Sequence, residues 1–290
     1  MKYNLEALTF CVFVRIDNDE RAENLKAMVE FYRHYGDNVK FIFAEDGKVP
    51  KVPDILEFTN NDVYTFHYND SEWNKCEGYN KCIKLSKTNT LVFNDVDAII
   101  HPQQLLDSHD QLCEVDNAGL IYPCNGLFLC TDKNVKGEFL ESYDYDVLES
   151  KFPEPLKHFD GNVTGNQSMY MRERQLINQT FNGILLGHIS SKGGCVMGRK
   201  DNIIKCNGYN PNFNGWGYED DEFPSRVHIL GYTVGRLSGV NRPCWHLYHF
   251  DGNGSKKETQ EFYNDNNVEA NRVENMSKEE LIQYKDTWIL

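Results

Sequence analysis

"LVFNDVDAII", Leu91 to Ile100, is an apolar run broken by Asp95 and Asp97, two carboxylates one residue apart. The run reads as a core strand. An ionised carboxylate in apolar surroundings costs several kcal/mol unless something pairs with it. The stretch therefore asks for a counter-charge, and a metal ion is one answer.

Upstream, "WNKCEGYNKCIKLSKTN" carries Cys76, Tyr79, Cys82, Ile83 and Leu85 at helical spacing and leads into "TLVFNDVDAII" as one strand. Further back, "LTFCVFVRI" reads as a first strand and "RAENLKAMVEFYRHYG" as an amphipathic helix closed by Gly36. "NVKFIFAEDG" is a second strand running into a turn, and "VYTFHYND" a third, shorter one. Strand, helix, strand, strand, helix, strand predicts an α/β fold with a Rossmann-like, mostly parallel central sheet flanked by helices. Ligands of such sheets sit beyond the carboxyl ends of the strands. Three of these strands end in acids: Asp17, the Glu45–Asp46 pair, and Asp95 with Asp97.

In the second half, "KGGCVMGRKDNIIKCNGYNPNFNGWGYEDDEFPSRVHILG" spans Lys192 to Gly231. Gly193 and Gly194 permit close backbone approach, and both are candidate donor-binding positions. "NGYNPNFNGWGY" is a turn-rich loop, and "EDDEFPSRVHILG" a helix opened by acids and closed by Gly231. Helix-dipole compensation, worth ~0.3–1 kcal/mol per acid, accounts for one or two of the acids from Glu219 to Glu222. Mutual repulsion makes four in a row a poor stability device. Trp216, flanked by Gly215 and Gly217, sets a flat ring beside them. A ring next to carboxylates is how proteins hold sugars: the ring packs on the C–H face and the acids accept hydroxyl hydrogen bonds.

"NRPCWHLYHF" places His246 and His249 three residues apart. On a helix or tight turn that spacing puts both imidazoles on one side. Together with Asp95 and Asp97 they make a site suited to Mn²⁺ or Mg²⁺ when a substrate phosphate completes the shell.

The bulk composition agrees. The 290 residues, 40% hydrophobic, support a real core. A net charge of -14, from 44 acidic and 30 basic residues, argues against a nucleic-acid surface. No segment approaches the ~18–20 apolar residues of a membrane span, and no signal-peptide core is visible. A soluble, cytoplasmic protein is expected, with a peripheral seat on the inner face of a membrane left open. Nine cysteines without CxxC pairs suit a reducing compartment, and Cys11 and Cys130, in apolar runs, read as core. The tail after Phe250 is polar, with a helix start at Ser277 whose capping-box partner is Glu280. Residues 1–255 read as one domain, with 1–100 the nucleotide-binding half and 101–255 the acceptor and metal-completing half. Residues 256–290 are a polar, helical tail.

The order "NDVDAI", "KGGCVMGRKDNIIKCNGYNPNFNGWGYEDDEF" and "WHLYHF" resembles nucleotide-sugar glycosyltransferases of the GT-A fold. The Gly-Trp-Gly-x-Glu-Asp-Asp segment is similar to the galactosyltransferase carboxyl-terminal region of beta-1,4-galactosyltransferases, polypeptide N-acetylgalactosaminyltransferases and bacterial chondroitin-type polymerases. The resemblance covers roughly residues 9–251. It implies that Asp97 binds the metal bridging the donor diphosphate, with His249 the distal ligand and His246 where some members carry methionine. It implies Asp95 at the donor ribose or metal shell, and Asp220 as general base. Trp216, Gly217, Glu219 and Asp221 would hold the acceptor. Arg15, Asp17 and Asp46 match strand-end positions that hold the nucleoside, and Lys75 and Asn80 lie in the helix bordering it. The chain departs from the family pattern at "VRIDND", where a Tyr-Asn is usual, at Tyr218 in place of a second glycine, and at Glu222 in place of Asp.

The implied reaction is metal-dependent transfer of a hexose or N-acetylhexosamine from a UDP-sugar, with galactose or N-acetylgalactosamine favoured, to a carbohydrate hydroxyl. One in-line displacement inverts the anomeric centre. Polysaccharide or glycoconjugate synthesis is the expected setting. The rivals are a metal-dependent nucleotidyltransferase or phosphohydrolase and a non-catalytic sugar-nucleotide-binding module.

Overall fold

The structure, a computed structural model, describes residues 2–161, 174–250, 260–288 and 290. Its first element of substance is β2. After the short strand β1 (Tyr3–Asn4), β2 (Leu8–Val14) has every residue buried. A strand buried on both faces reads as an unbroken apolar run, as "LTFCVFV" does. Helix α1 (Asp19–Tyr35) starts where the Asn18 side chain accepts from the Arg21 backbone N–H, has Asp19 and Glu20 in its first turn, and ends with Arg33 and His34. Short β3 (Gly36–Asp37) pairs with β1. Then follow β4 (Phe41–Gly47), the single turn α2 (Val52–Ile55), β5 (Val63–Tyr68) and α3 (Lys75–Leu85). Asn74 caps α3 by accepting from the Glu77 N–H, and Cys76, Tyr79, Cys82 and Ile83 face the sheet.

The reading of Thr90 to Ile100 as a single strand is corrected here. Strand β6 (Thr90–Asn94) ends before Asp95, and β7 (Ala98–Ile99) belongs to a different sheet. The Asn94 amide causes the break by donating to the carbonyls of Asp95 (2.8 Å) and Ala98 (2.9 Å), which folds the chain back between them. Asp-Val-Asp therefore occupies a tight turn.

Helix α4 (Pro102–Glu114) and strand β8 (Ala118–Tyr122) return the chain to the first sheet. After β9 (Phe128–Thr131) come α5 (Lys133–Ser142) and α6 (Tyr145–Ser150). Strands β10 (Thr180–Phe181), β11 (Ile184–His188) and β12 (Cys195–Arg199) precede α7 (Lys200–Lys205), α8 (Glu219–Ile229), β13 (Thr233–Arg236) and β14 (Cys244–His246).

The main sheet has the order β13-β8-β12-β6-β2-β4-β5. All neighbours pair in parallel except β12, which runs antiparallel to both β6 and β8. The mostly parallel sheet expected from sequence is thus present with one reversed strand. A second sheet, β10-β11-β9-β14-β7, stands beyond the carboxyl end of β6. Its Trp245 is fully buried, donating from Nε1 to the Tyr145 hydroxyl at 3.1 Å.

The tail packs on the domain. Helices α9 (Gln260–Glu274) and α10 (Lys278–Lys285) follow β14, and α10 has the Ser277–Glu280 capping box. Trp288 docks through Nε1 onto the Asn207 carbonyl at 2.9 Å, and the Leu290 N–H reaches Asn207 Oδ1 at 3.3 Å. Residues 256–259 and Ile289 of the tail lie outside the described residues. Among the described residues no helix is long and apolar enough to cross a membrane. The nine cysteines are unpaired, Cys11 buried and Cys130 half-buried.

Candidate active site

The two acids of the Asp-Val-Asp turn part company. Asp95 faces the amino end of α3, where Lys75 Nζ stands 3.2 Å from Asp95 Oδ1 and the Tyr79 hydroxyl donates to the same oxygen at 3.1 Å. Asp97 faces β14, with Oδ2 3.3 Å from His249 Nε2 and 3.5 Å from His246 Nε2. Each carboxylate has the counter-charge that its setting requires, and the two counter-charges differ.

Strand pairing explains the second meeting. β14 runs antiparallel to β7 with His246 opposite Ala98, one residue beyond Asp97. The Leu247 N–H then donates to the Asp97 carbonyl at 2.8 Å, which holds the chain beside the turn up to His249. His246 ends a strand, so the helix or tight turn expected for the pair is corrected; the convergence comes from the sheet. Burial opposes the charge on both Asp97 and His246, yet their mutual attraction holds Asp97 well below the usual carboxylate range and His246 well above the usual imidazole range.

One carboxylate oxygen and two imidazole nitrogens, all within 4.8 Å of one another, fit a divalent cation. Such an ion would replace the imidazolium of His246 as the counter-charge of Asp97.

The acids opening α8 each have their own partner. Glu219 Oε2 accepts from the Gly217 N–H at 3.1 Å, and its other oxygen is 3.4 Å from Lys75 Nζ. Asp220 Oδ1 lies 3.5 Å from the same ammonium, and Asp221 pairs with Lys192 at 2.7 Å. Glu222 turns away from the site into a fully buried pair with Arg226 at 2.6 Å. Arg226 also donates to the carbonyls of Cys206 and Gly208. The mutual repulsion expected of four consecutive acids is relieved because they point to three different cations.

Lys75 is therefore a hub, buried among Asp95, Glu219 and Asp220. Burial works against its charge, but Asp220, Asp95, Tyr79 and Glu219 carry its pKa well above the ordinary lysine value. For Asp220, burial, opposed by Lys75 and joined by Glu219 and Asp95, pushes the carboxyl up to about 8. A third of that side chain, 32%, still reaches solvent, so its proton can exchange with a ligand.

The loop before β12 touches both groups. The Asp95 N–H donates to the Gly194 carbonyl at 2.8 Å, and a Cβ on Gly193 would stand 3.1 Å from Asp220 Oδ2. Gly194 has φ +89°, and a Cβ there would be 2.9 Å from Cys244 Sγ and from Phe128. Only glycine fits this close crossing of backbone and sheet.

The remaining expected positions divide. Arg15 holds Asp46 bidentately, Nε to Oδ1 at 2.8 Å and Nη2 to Oδ2 at 3.1 Å, and Asn69 adds a bond at 2.9 Å. Asp46 lines a cleft with Phe13, Ala44, Asn69, Asn74 and Gly78 at the carboxyl ends of β2 and β4. Asp17 is 47% exposed and pairs with Arg21 at 3.4 Å. Asn80 is buried, its amide donating to the Tyr209 carbonyl and accepting from the Tyr209 N–H, both at 2.8 Å. It is a backbone clamp and is not turned toward the cleft. Trp216 is 55% exposed on the loop leading into α8. Tyr79 was missed by the sequence reading, because at a helical core position its hydroxyl leaves no trace in the pattern.

Residues 186–250 match a family model described as the N-terminal domain of galactosyltransferase. The matched segment contains β12, Trp216, α8 and both histidines. No curated protein matches the chain in sequence. Among solved structures, a mannosyltransferase from Pyrobaculum calidifontis, in complex with GDP-Man and Mn²⁺, is similar with TM-score 0.52 and 12% identity, over 92% of this chain and 64% of that one. This chain thus spans 64% of that enzyme's length. A Drosophila beta1,4-galactosyltransferase 7 in complex with xylobiose gives TM-score 0.44 at 14% identity, covering 88% of this chain and 79% of that one. The architecture is that of GT-A glycosyltransferases.

Proposed function

We propose that this chain is a divalent-cation-dependent, inverting glycosyltransferase that moves a hexose or N-acetylhexosamine from a UDP-sugar to a carbohydrate hydroxyl. The observation that carries this reading is the pairing of a His246–His249–Asp97 triad with a separate acid set, Asp95, Glu219 and Asp220, around Lys75. One group suits a cation and a diphosphate, and the other suits a hydroxyl that must lose a proton.

Asp97, His246 and His249 would hold the cation, for which Mn²⁺, present in the mannosyltransferase of like fold, is the first choice. A bound divalent cation neutralises the charge that builds on a leaving diphosphate. Asp46, held by Arg15 near the carboxyl end of β4, would receive the nucleoside. The acceptor hydroxyl, with its sugar ring on Trp216, would give its proton to Asp220 as the oxygen attacks the anomeric carbon. Lys75 lowers the Asp220 pKa and so favours the ionised base. Residues 1–100 then serve the nucleotide and 101–255 complete the metal and acceptor sides.

Galactose or N-acetylgalactosamine as the donor sugar is supported by the galactosyltransferase description of the matched family. Polysaccharide or glycoconjugate synthesis in the cytoplasm is the setting we propose. Phosphoryl transfer would use the triad but leave Trp216 and Asp220 without a part. The deciding experiment measures UDP release from a panel of UDP-sugars with Mn²⁺ and with chelator. Metal-dependent release from one donor supports the proposal and names the sugar. Release of inorganic phosphate or pyrophosphate, or no turnover of any donor despite bound metal, overturns it.

A further inference from the structure

The loop that ends in Trp216 is shaped by the tail. Asn207 accepts from the Trp288 indole and donates to the carbonyl of Trp288. Asn210 donates to Glu269 at 2.7 Å, and Asn212 to the Tyr284 hydroxyl at 2.9 Å. Asn214 and Asn266 exchange two bonds, at 2.8 and 3.2 Å. At the loop's end the Tyr263 ring lies nearly parallel to Trp216, with centroids 5.8 Å apart and planes at 17°. The same ring stands 4.9 Å from that of Tyr218. It also covers Gly217 so closely that a Cβ there would be 3.0 Å from Tyr263 Cδ2. Gly217 and Tyr218 both have positive φ, +110° and 69°, a conformation that a tyrosine adopts only when its surroundings impose it.

We propose that Tyr263 is a positioning residue for Trp216, so that helix α9 forms the back wall of a carbohydrate subsite and a pyranose ring of the acceptor stacks on the face of Trp216 that Tyr263 leaves open. The inference rests on the acceptor reading of Trp216. Tyr263 is half-buried, and among the described residues it belongs neither to the hydrophobic core nor to the side chains packed against it. Its ring contacts are with Trp216 and Tyr218. A side chain whose aromatic neighbours are an exposed tryptophan and its strained support serves the surface above it. The residue also lies outside the segment 186–250 that matches the galactosyltransferase model.

The test is a titration of the full chain, with Mn²⁺ bound, by xylobiose, cellobiose, chitobiose and lactose, following tryptophan emission. W216F assigns the signal to Trp216. At least one disaccharide is expected to change the emission of the unaltered protein and leave W216F unchanged. Y263A should weaken that binding ~10-fold, the scale of an aromatic pair's contribution, while Y263F, which keeps the ring, stays near the original affinity. Thermal midpoint and Mn²⁺ affinity should be the same in all three. Equal sugar affinity in Y263A, a parallel loss of Mn²⁺ affinity, or no response of Trp216 to any of the four sugars overturns the inference. Failure of the transferase reading would appear separately, as absent UDP release with sugar binding intact.

Discussion

Lys75 Nζ and Asp220 Oδ1 lie 3.5 Å apart, with Asp95 and Glu219 sharing the same ammonium. One buried cation thus serves three carboxylates, and the balance leaves Asp220 with a pKa pushed up to about 8.

A base with that pKa is largely protonated below it. Turnover at subsaturating substrate should therefore rise with pH on a limb near 8, falling ~10-fold per unit on the acid side. Lys75 lowers the Asp220 pKa, so K75M should move the limb to higher pH. A pH–rate profile of both proteins checks this; a K75M limb at or below the original would contradict the assignment.

The same shift acts on stability. The Asp220 carboxyl is raised from 3.8 to about 8, so the fold loses stability as pH rises from the lower value through the higher one. D220N removes that penalty and should stabilise the protein above pH 8 by on the order of 1 kcal/mol once solvent screening is allowed for, while abolishing transfer. The gain should fade by pH 4. Thermal melts at several pH values, beside a turnover assay, check both halves.

Removing a ligand from the triad should lower Mn²⁺ affinity by more than the ~10–100-fold seen for outer-shell partners. We expect this for D97N, H249A and H246A alike, measured by titration calorimetry or by loss of the free-ion electron spin resonance signal. Asp97 holds the His246 imidazole in its protonated form in the metal-free protein, so metal binding, which needs the neutral imidazole, should release protons and tighten with rising pH. Full affinity in H246A would remove that residue from the site.

Arg226 is the buried partner of Glu222, and taking away one member of such a pair costs ~3–5 kcal/mol. R226M should lower the melting temperature strongly. Burial already raises the Glu222 pKa and Arg226 opposes it, so the variant raises it further. Its destabilisation should grow as pH rises above the ordinary glutamate range. A melting curve at pH 5 and one at pH 8 distinguish this from loss of packing alone, which would be the same at both.

Asn80 clamps the Tyr209 backbone, so N80A should cost ~1–3 kcal/mol for the buried groups left unpaired. Donor KM per folded molecule should stay unchanged. A raised donor KM with an unchanged melting temperature would return Asn80 to the nucleotide side.

What was legible in sequence follows from how each contact is made. Strands β2, β4 and β6 announce themselves because burial on both faces leaves an uninterrupted apolar run. The break at Asp95 does not, since "AII" resumes that run in another sheet and only the Asn94 amide marks the fold-back. His246 and His249 were found by spacing, though a strand pairing with β7 brings them to Asp97. The Lys75 hub was out of reach because its partners lie 20 and about 145 residues away in the chain. Tyr263 was hidden in a tail that reads only as polar, although Asn207, Asn210 and Asn212 of the loop before α8 spend their amides on that tail and its Asn266 returns one to Asn214.

The reversed strand β12 has a consequence for how this protein is made. It fills the gap between β6 and β8, yet about a hundred residues separate Asn94 from Cys195. A ribosome adding ~5–20 residues per second takes on the order of 5–20 s to cover that distance. Through that interval the nascent chain holds β5, β4, β2 and β6 with an open, apolar edge on β6, a template for pairing with any neighbour. Production of this protein at high concentrations of nascent chain should therefore depend on chaperone occupancy of that edge, and slowed synthesis in the cold, which lengthens the interval, should not by itself rescue it.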